Sequence, residues 1–267
     1  MKKNPLIYGF LIMISMSGCI RNAYFLSPLN GTNHAYRTLP MVSDSLHHST
    51  YFHSSFSAGG ANDDASDGVV SFQSSVYQGH TFQNIQFYYG LTGTVGNYHI
   101  NSNSFYEEPG LNNAVLKSMA GDKFFAGLGG VGGLDFVIPF ESGGEWRVFG
   151  VETSVQKEFG DYLNFRTKVP DSTVNGVDRK DVYVTLAFGT NIIKKFRRSG
   201  NTFGYKLAYV TSTRSITETD GMHRLGTFRP GFLSNTFHLT KKRVTGFAQF
   251  NVGNYVANLQ FGVNYRL

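Results

Sequence analysis

The chain ends on the stretch YVANLQFGVNYRL, Tyr255–Leu267, in which apolar and polar side chains alternate almost without a break. Successive side chains of a β-strand point to opposite faces of the sheet. The stretch therefore predicts a strand with one apolar face, tipped with tyrosine, and one mostly polar face. The apolar set comprises Tyr255, Ala257, Leu259, Phe261, Val263, Tyr265 and Leu267.

The same alternation recurs upstream and predicts further strands. In the stretch 83–96, for example, Ile85 and Phe87 alternate with Gln86 and Tyr88. The first and eighth stretches are the least regular, so the prediction is a ladder of eight to ten strands. The ten stretches are 50–59, 68–78, 83–96, 123–138, 145–158, 181–193, 202–213, 231–240, 243–252 and 255–267.

The connections between these stretches alternate between long and short. Transmembrane β-barrels have this asymmetry, with long loops outside, tight turns on the periplasmic side and an even number of strands. Only the short link at 253–254 departs from the rule. The long links are 60–67, 97–122, 159–180 and 214–230, and the short ones are 79–82, 139–144, 194–201 and 241–242.

Composition favours a membrane barrel over a soluble one. Charged residues make up 16% of the chain, against about 25% in ordinary soluble domains. The second face of the strands is mostly small and neutral, as a narrow lumen requires, whereas a soluble lipocalin-like barrel would show Lys and Glu there. The clear exceptions are Asp135, Glu152, Lys206 and Arg266, which we expect to pair across the lumen. The net charge of +6 carries no nucleic-acid signature.

The N-terminus predicts export. Lys2 and Lys3 precede an apolar run at 6–16, too short for a transmembrane helix, so residues 1–18 are predicted to be a signal peptide. Cys19 is the only cysteine. Residues 19–49 show no clear periodicity, and we interpret them as a lipidated periplasmic tether that precedes a barrel domain at 50–267.

These features resemble those of bacterial outer-membrane β-barrel lipoproteins. The C-terminal strand resembles the closing strand of such barrels, and Met16-Ser17-Gly18-Cys19 resembles a lipobox. The resemblance implies an all-β fold, a closed antiparallel up-and-down transmembrane β-barrel, in the outer membrane of a bacterium, with Bacteroidota as the source. It also implies acylation (palmitate) of Cys19. No acidic run follows Cys19, which favours an anchor in the periplasmic leaflet.

Several motifs suggest other chemistry, and none of them supports it. Gly127, Gly129 and Gly132 match a dinucleotide fingerprint, but they lie inside a predicted strand, where that motif does not function. A bend of the wall or the close approach of another group explains them better. The polar loop with Asn62, Asp63, Asp64 and Asp67 lacks EF-hand spacing, and His47, His48 and His53 lie in or beside the tether.

Catalysis is the remaining question, because some small outer-membrane barrels are lipases, acyltransferases or proteases. There is no Gly-x-Ser-x-Gly motif, and nothing pairs a nucleophile with a base. The loop candidates are His99, Glu107, Glu108, Asp161, Asp171, Asp220 and His223.

The sequence thus predicts a non-enzymatic structural or interaction protein. Its only assigned site is Cys19, without catalytic residues, metal or cofactor. Its partners are outer-membrane lipids and other outer-membrane proteins, not nucleic acid. Two alternatives stay open: a barrel hydrolase or acyltransferase that acts on lipid or peptide, and a soluble lipid-tethered ligand-binding barrel.

Overall fold

A computed structural model of the chain describes residues 23–44, 47–62, 66–101, 118–196, 198–220 and 223–267. Strands dominate this part of the chain. In order, the elements are β1 (Tyr24–Phe25), α1 (Leu29–Thr32), β2 (His48–Ala61), β3 (Asp67–Phe82), β4 (Ile85–Ile100), β5 (Gly121–Pro139), β6 (Glu145–Phe159), α2 (Asp161–Lys168), β7 (Gly176–Val177), β8 (Val182–Lys195), β9 (Thr202–Ser212), β10 (Ile216–Asp220), β11 (His223–Phe228), β12 (Gly231–Lys241), β13 (Val244–Gly253) and β14 (Val256–Arg266).

Ten of these strands form one closed antiparallel barrel. Its order is β12-β13-β14-β2-β3-β4-β5-β6-β8-β9, and β9 pairs with β12 to complete the ring. The first and last strands of the wall join directly, with Phe261 of β14 opposite Phe56 of β2. Each of the ten predicted stretches corresponds to one wall strand, including the first and eighth. The predicted fold class is therefore confirmed, at the upper end of the predicted strand number.

The apolar face of each wall strand points outward. On β14, Phe261 is 51% exposed, whereas the neighbouring Gln260 is 1% exposed. Phe87 is likewise exposed on the outside, and Leu186 is partly exposed between the buried Thr185 and Ala187. Small and polar side chains face the lumen. This arrangement, apolar outside and polar inside, is the reverse of a soluble barrel and is typical of transmembrane barrels.

The two ends of the barrel differ, as the link lengths predict. At one end, which we call the short-turn end, the connections are residues 83–84, 140–144, 196–201 and 242–243. At the other, the long-link end, they are residues 62–66, 101–120, 160–181 and 213–230, with a tight turn at 254–255. Neither α1 nor α2 is long and apolar enough to cross a membrane.

The long links contain structure that the sequence did not predict. A hairpin of β10 and β11 joins β7 and β1 in a four-stranded sheet, and α2 follows β6. Tyr162 and Phe165 of α2, together with Val169 and Val174, are buried in an apolar cluster that includes Phe125 of the wall. We call residues 160–180 with β10 and β11 the cap. Segments this short bury too few side chains for a recognisable period, and this explains why the sequence predicts only long links there.

The predicted tether is the main error of the sequence interpretation in the described region. Residues 23–41 are all buried and run through the barrel; we call them the lumen segment. No period marks them, because they form neither a long helix nor a wall strand. The lumen is therefore filled by this segment together with wall side chains such as Tyr88 and Tyr183.

Candidate functional site: the occupied lumen

The lumen segment runs from the long-link end to the short-turn end. At its start, β1 pairs in parallel with β7 of the cap, and the backbone N–H of Ala23 donates to Asn175 Oδ1 at 2.8 Å. At its end, the N–H of Val42 donates to Glu145 Oε2 at 2.9 Å, where β6 begins. After the turn at Asp44, β2 starts the wall from the short-turn end. The chain therefore crosses the barrel once inside it before building the wall.

Side chains of the wall satisfy the backbone carbonyls of the lumen segment. The segment has few backbone partners of its own, and buried carbonyls without partners are costly. Amide, hydroxyl and phenol groups on the inner face supply the donors. The pairs are Asn251 and Asn258 to Gly31 O, Gln73 to Asn33 O, Gln249 to His34 O, Asn264 to Tyr36 O, Tyr77 to Thr38 O, and Thr81 and Gln86 to Pro40 O, at 2.7–3.3 Å.

Side chains of the lumen segment pack into pockets of the wall. Tyr36 stacks on His238 with ring centroids 4.2 Å apart, and its hydroxyl lies 3.2 Å from His238 Nδ1. Leu29 joins the apolar cluster under the cap, and Leu39 lies in a second cluster with Tyr77 and Tyr88. Both ends of the segment are thus held by apolar contacts as well as by hydrogen bonds.

Two glycines allow the segment to approach the wall closely. A Cβ on Gly31 would lie 2.3 Å from Val256 Cγ2 and 2.7 Å from Asn258 Nδ2. A Cβ on Gly127 of β5 would lie 3.0 Å from Leu29 Cδ2. Gly127 opens the apparent dinucleotide fingerprint, and all three glycines of that motif lie inside β5. The expectation that they permit a close approach is confirmed at Gly127.

Two sets of charged groups in the lumen are paired, and one of them joins Glu152 and Lys206 as expected. Lys206 Nζ contacts Glu152 Oε1, and His34 Nδ1 of the lumen segment lies 3.5 Å from Glu152 Oε2. Nearer the short-turn end, Arg147 Nη2 lies 2.9 Å from Glu145 Oε1. Asp135 is buried and Arg266 lines a cavity at the short-turn end. Contrary to expectation, neither takes part in an ion pair found among the described residues. Charge in the lumen therefore ties strands to each other and to the segment.

A further buried ion pair holds the cap. Arg166 of α2 is fully buried, and its Nη2 lies 2.6 Å from Glu158 Oε2. Ser27 Oγ of the lumen segment donates to the same Glu158 oxygen at 2.5 Å. Burial disfavours the charged guanidinium, but Glu158 and then Asp178 outweigh it and hold the pKa of Arg166 above its ordinary value. Cap and lumen segment thus share one carboxylate.

The suspected calcium loop is part of the same structure. Asn62 Oδ1 accepts from the N–H of Tyr24 at 2.8 Å, and Asn62 Nδ2 donates to Asp67 Oδ2 at 3.2 Å. Tyr98 also donates to Asp67. These two oxygen donors of the loop are engaged by the chain itself, while Asp63 and Asp64 lie outside the described residues.

The histidines of the predicted tether region do not come together around a metal. His53 is buried in the lumen, where its ring contacts Asn264 and Ser55, whereas His47 and His48 are exposed at the start of β2. Within the part of the chain that the structure describes, no three His, Cys, Asp or Glu residues are grouped as a metal site would need.

One of the candidate catalytic histidines has an acidic partner. His99 Nδ1 lies 2.8 Å from Asp122 Oδ1, and both side chains are largely exposed at the long-link end. Asp171 pairs with Arg179 instead, and Asp161 is exposed at the start of α2. Glu107, Glu108, Cys19 and the side chains of Asp220 and His223 lie outside the described residues. The His99–Asp122 pair was missed because it forms only when β4 and β5 are aligned.

The lumen has an opening at the short-turn end. It has a volume of about 260 Å³ and is lined by the last residues of the lumen segment together with wall residues that include Arg147, His238 and Arg266. Above it the lumen segment occupies the barrel, so this opening is a vestibule at one mouth.

Solved structures similar to this chain are bacterial outer-membrane barrels. The β domain of the Bordetella autotransporter BrkA has 8% identity and a TM-score of 0.44, covering 83% of this chain and 100% of its own. An outer membrane channel from Pseudomonas putida F1 has 8% identity and a TM-score of 0.39, covering 86% and 100%. The translocator domain of the autotransporter NalP from Neisseria meningitidis has 8% identity and a TM-score of 0.35, covering 85% and 91%.

No protein-family model matches this chain, and neither does any curated protein. The likenesses to solved structures concern architecture alone. The closed ring of ten antiparallel strands with an apolar exterior is by itself the architecture of a transmembrane β-barrel.

Proposed function

We propose that this chain is a non-conducting outer-membrane lipoprotein barrel with a structural or interaction role. The observation that carries the proposal is the burial of the whole lumen segment, 23–41, inside the ring of strands. A barrel of about ten strands has little room beyond its own side chains, and here a stretch of chain takes up that room. The surface left for partners is the cap at the long-link end and the outer wall.

The apolar exterior supports a position in the membrane. Leucine, valine and phenylalanine cover the outside of the wall, with Leu259, Phe261 and Val263 of β14 as examples. Such a surface would be unstable in water, since it is far larger than the apolar patches that soluble monomers expose. The long links then face the cell exterior and the short turns face the periplasm.

The path of the lumen segment supports a different leaflet for the lipid anchor than the sequence predicts. Ala23 is bonded to the cap at the long-link end, and only three residues separate it from Cys19. Four residue steps span at most about 14 Å, whereas the apolar band of an outer-membrane barrel is about 25 Å tall. An acyl group on Cys19 would therefore enter the leaflet at the long-link end, the outer one.

Labelling with a membrane-impermeant maleimide on intact cells tests orientation. In a Cys19→Ala background, a single cysteine at Asp161 in the cap should be labelled from outside. A cysteine at Lys242 in a short turn should be labelled only after lysis. Labelling at Lys242 in intact cells, with none at Asp161, would reverse the proposed orientation.

Two further measurements test the rest of the proposal. The purified chain should give no steady conductance in planar bilayers, and steady channels would refute a plugged barrel. Cys19→Ala should remain detergent-dependent and heat-modifiable on gels. If that variant were soluble without detergent, the chain would be the lipid-tethered soluble barrel instead.

The His99–Asp122 pair supports a second candidate function, hydrolysis of lipid or peptide at the outer rim. A histidine held by a carboxylate can act as a general base. Among the residues described, however, no hydroxyl is hydrogen-bonded to His99. Purified protein should be assayed on phospholipid and casein, with His99→Ala as the test and His47→Ala as the matched control. Cleavage that only His99→Ala abolishes would establish the hydrolase.

A further inference from the structure

The outer wall has an apolar groove at its short-turn end. The groove has a volume of about 810 Å³ and lies over β9, β12, β13 and β14. Phe203, Phe237 and Leu239 line one side, and Tyr265 lies on the other. These side chains are roughly half exposed, so the groove opens outward, away from the lumen.

Small residues on β13 create the groove. On its outer face β13 has Gly246 and Ala248, which are paired with Leu239 and Phe237 of β12. On the other side they are paired with Val263 and Phe261 of β14. Since neighbouring strands lie about 4.8 Å apart, two rows of bulky side chains about 10 Å apart flank a shallow floor. This width admits one hydrocarbon chain between the rows.

Cationic residues cluster at the short-turn end of the groove. Lys241, Lys242 and Arg243 line it there, in and beside the turn that joins β12 to β13. None of the three takes part in the ion pairs found among the described residues. The lysine of the neighbouring turn differs, because Lys195 Nζ lies 3.3 Å from Asp44 Oδ1. The cations at the groove therefore remain available to an outside anion.

We propose that this groove binds one anionic phospholipid of the leaflet at the short-turn end. One acyl chain would lie over Gly246 and Ala248, and the phosphate would meet Lys241, Lys242 and Arg243. Cationic side chains at this depth attract anionic headgroups, and the groove adds shape to that attraction. The inference rests on the proposed membrane location.

Native mass spectrometry of the full chain in detergent can test this proposal. The protein is titrated with phosphatidylglycerol or with phosphatidylethanolamine, and bound lipid is counted per barrel. We expect one retained phosphatidylglycerol, with at least tenfold weaker retention of phosphatidylethanolamine. Equal retention of the two lipids would overturn the proposal.

Two groove variants separate shape from charge. Gly246→Phe fills the floor of the groove. A Cβ at this position has no other atom within 4 Å, so the substitution causes no clash there. The triple variant Lys241→Gln, Lys242→Gln, Arg243→Gln removes the charge. Each should reduce phosphatidylglycerol retention about tenfold or more.

Matched controls lie elsewhere on the same barrel. Gly93 faces outward on β4 with its nearest neighbour at 3.7 Å from a Cβ, so Gly93→Phe adds the same side chain outside the groove. The double variant Lys194→Gln, Arg198→Gln removes two cationic side chains in and beside another short turn. Neither should change retention, and an equal loss in these controls would show general lipid adsorption and refute a site.

Failure of the groove proposal can be distinguished from failure of the proposed membrane location. A heat-modifiable, detergent-dependent barrel that retains no phosphatidylglycerol would refute the groove alone. A chain that needs no detergent would refute the membrane location and the groove together. If Gly246→Phe has no effect while the triple variant does, charge alone acts and the groove proposal is wrong.

Discussion

The barrel wall and the lumen segment are in contact along the whole barrel, yet they satisfy their backbones in different ways. Each wall strand pairs with two neighbouring strands, so its side chains are free to face hydrocarbon or lumen. The lumen segment has no such neighbours over most of its length, and wall side chains such as Gln249 and Asn264 donate to its carbonyls instead. The polar inner face is therefore a binding surface for a peptide backbone as well as a lumen lining.

The largest effect should come from separating the two regions. Gly31→Leu introduces a side chain where a Cβ alone would lie 2.3 Å from Val256, so the segment must leave its position. We expect steady conductance in planar bilayers where the unmodified chain gives none.

Gly93→Leu is the matched control, because it adds the same side chain to the outer wall without a clash. It should stay silent in the same bilayers. A silent Gly31→Leu that still folds would mean that the lumen segment does not block the barrel.

Loss of one partner in a buried ion pair should rank next. Lys206→Met removes the cation that contacts Glu152 and leaves His34 as the nearest partner of this buried carboxylate; breaking a buried pair costs about 3–5 kcal/mol. Lys157→Met breaks an exposed pair with Asp181, which should cost about 0–1 kcal/mol. Urea unfolding in lipid vesicles compares the two, and equal losses would contradict the burial of the Lys206–Glu152 pair.

The outer wall offers a test of depth in the membrane. Phe261→Arg places a charge in the middle of β14, and such substitutions cost about 2–4 kcal/mol at the bilayer midplane. Leu267→Arg places it just beyond the strand, where about 0–1 kcal/mol is expected. The free energy of folding into vesicles measures both, and a soluble barrel would show no difference between them.

The smallest effect should come from a single donor to the lumen segment. Asn258→Ala removes one of two donors to Gly31 O, and a buried hydrogen bond of this kind is worth about 0.5–1.5 kcal/mol. Asn254→Ala, in an exposed turn, should stay within about 0.5 kcal/mol. Adding Asn251→Ala should cost more than the sum of the single losses, because the carbonyl then has no donor. Simple additivity in urea unfolding would argue against a shared acceptor.

The same contrast explains which parts could be predicted from sequence. Wall strands carry a period of two over ten or more residues, so even the weak stretches at 50–59 and 231–240 were identified correctly. The lumen segment has no hydrophobic period, because its successive residues contact different residues of the wall. Its signal was indirect: the inner face of β14 carries three amide side chains, Asn258, Gln260 and Asn264, and the first and last of them donate to the lumen segment.

The cap was missed for a related reason. Its elements are short, and their burial depends on residues such as Phe125 and Tyr98 that are distant in sequence. The pairs His99–Asp122 and Arg166–Glu158 likewise arise from alignment of separate elements. Lipidation of Cys19 stays a prediction.

The direct pairing of β14 with β2 has a consequence for the order of assembly. The donors Asn251, Asn258 and Asn264 are synthesised long after the carbonyls they contact, which belong to Gly31 and Tyr36, more than two hundred positions earlier. Contacts so distant in sequence form slowly. We expect the ring to close around a strand of chain already in place, because bulky groups such as Tyr36 would have to squeeze through a finished ring. The wall would then assemble around the lumen segment, and the hairpin of β13 and β14 would close the ring last.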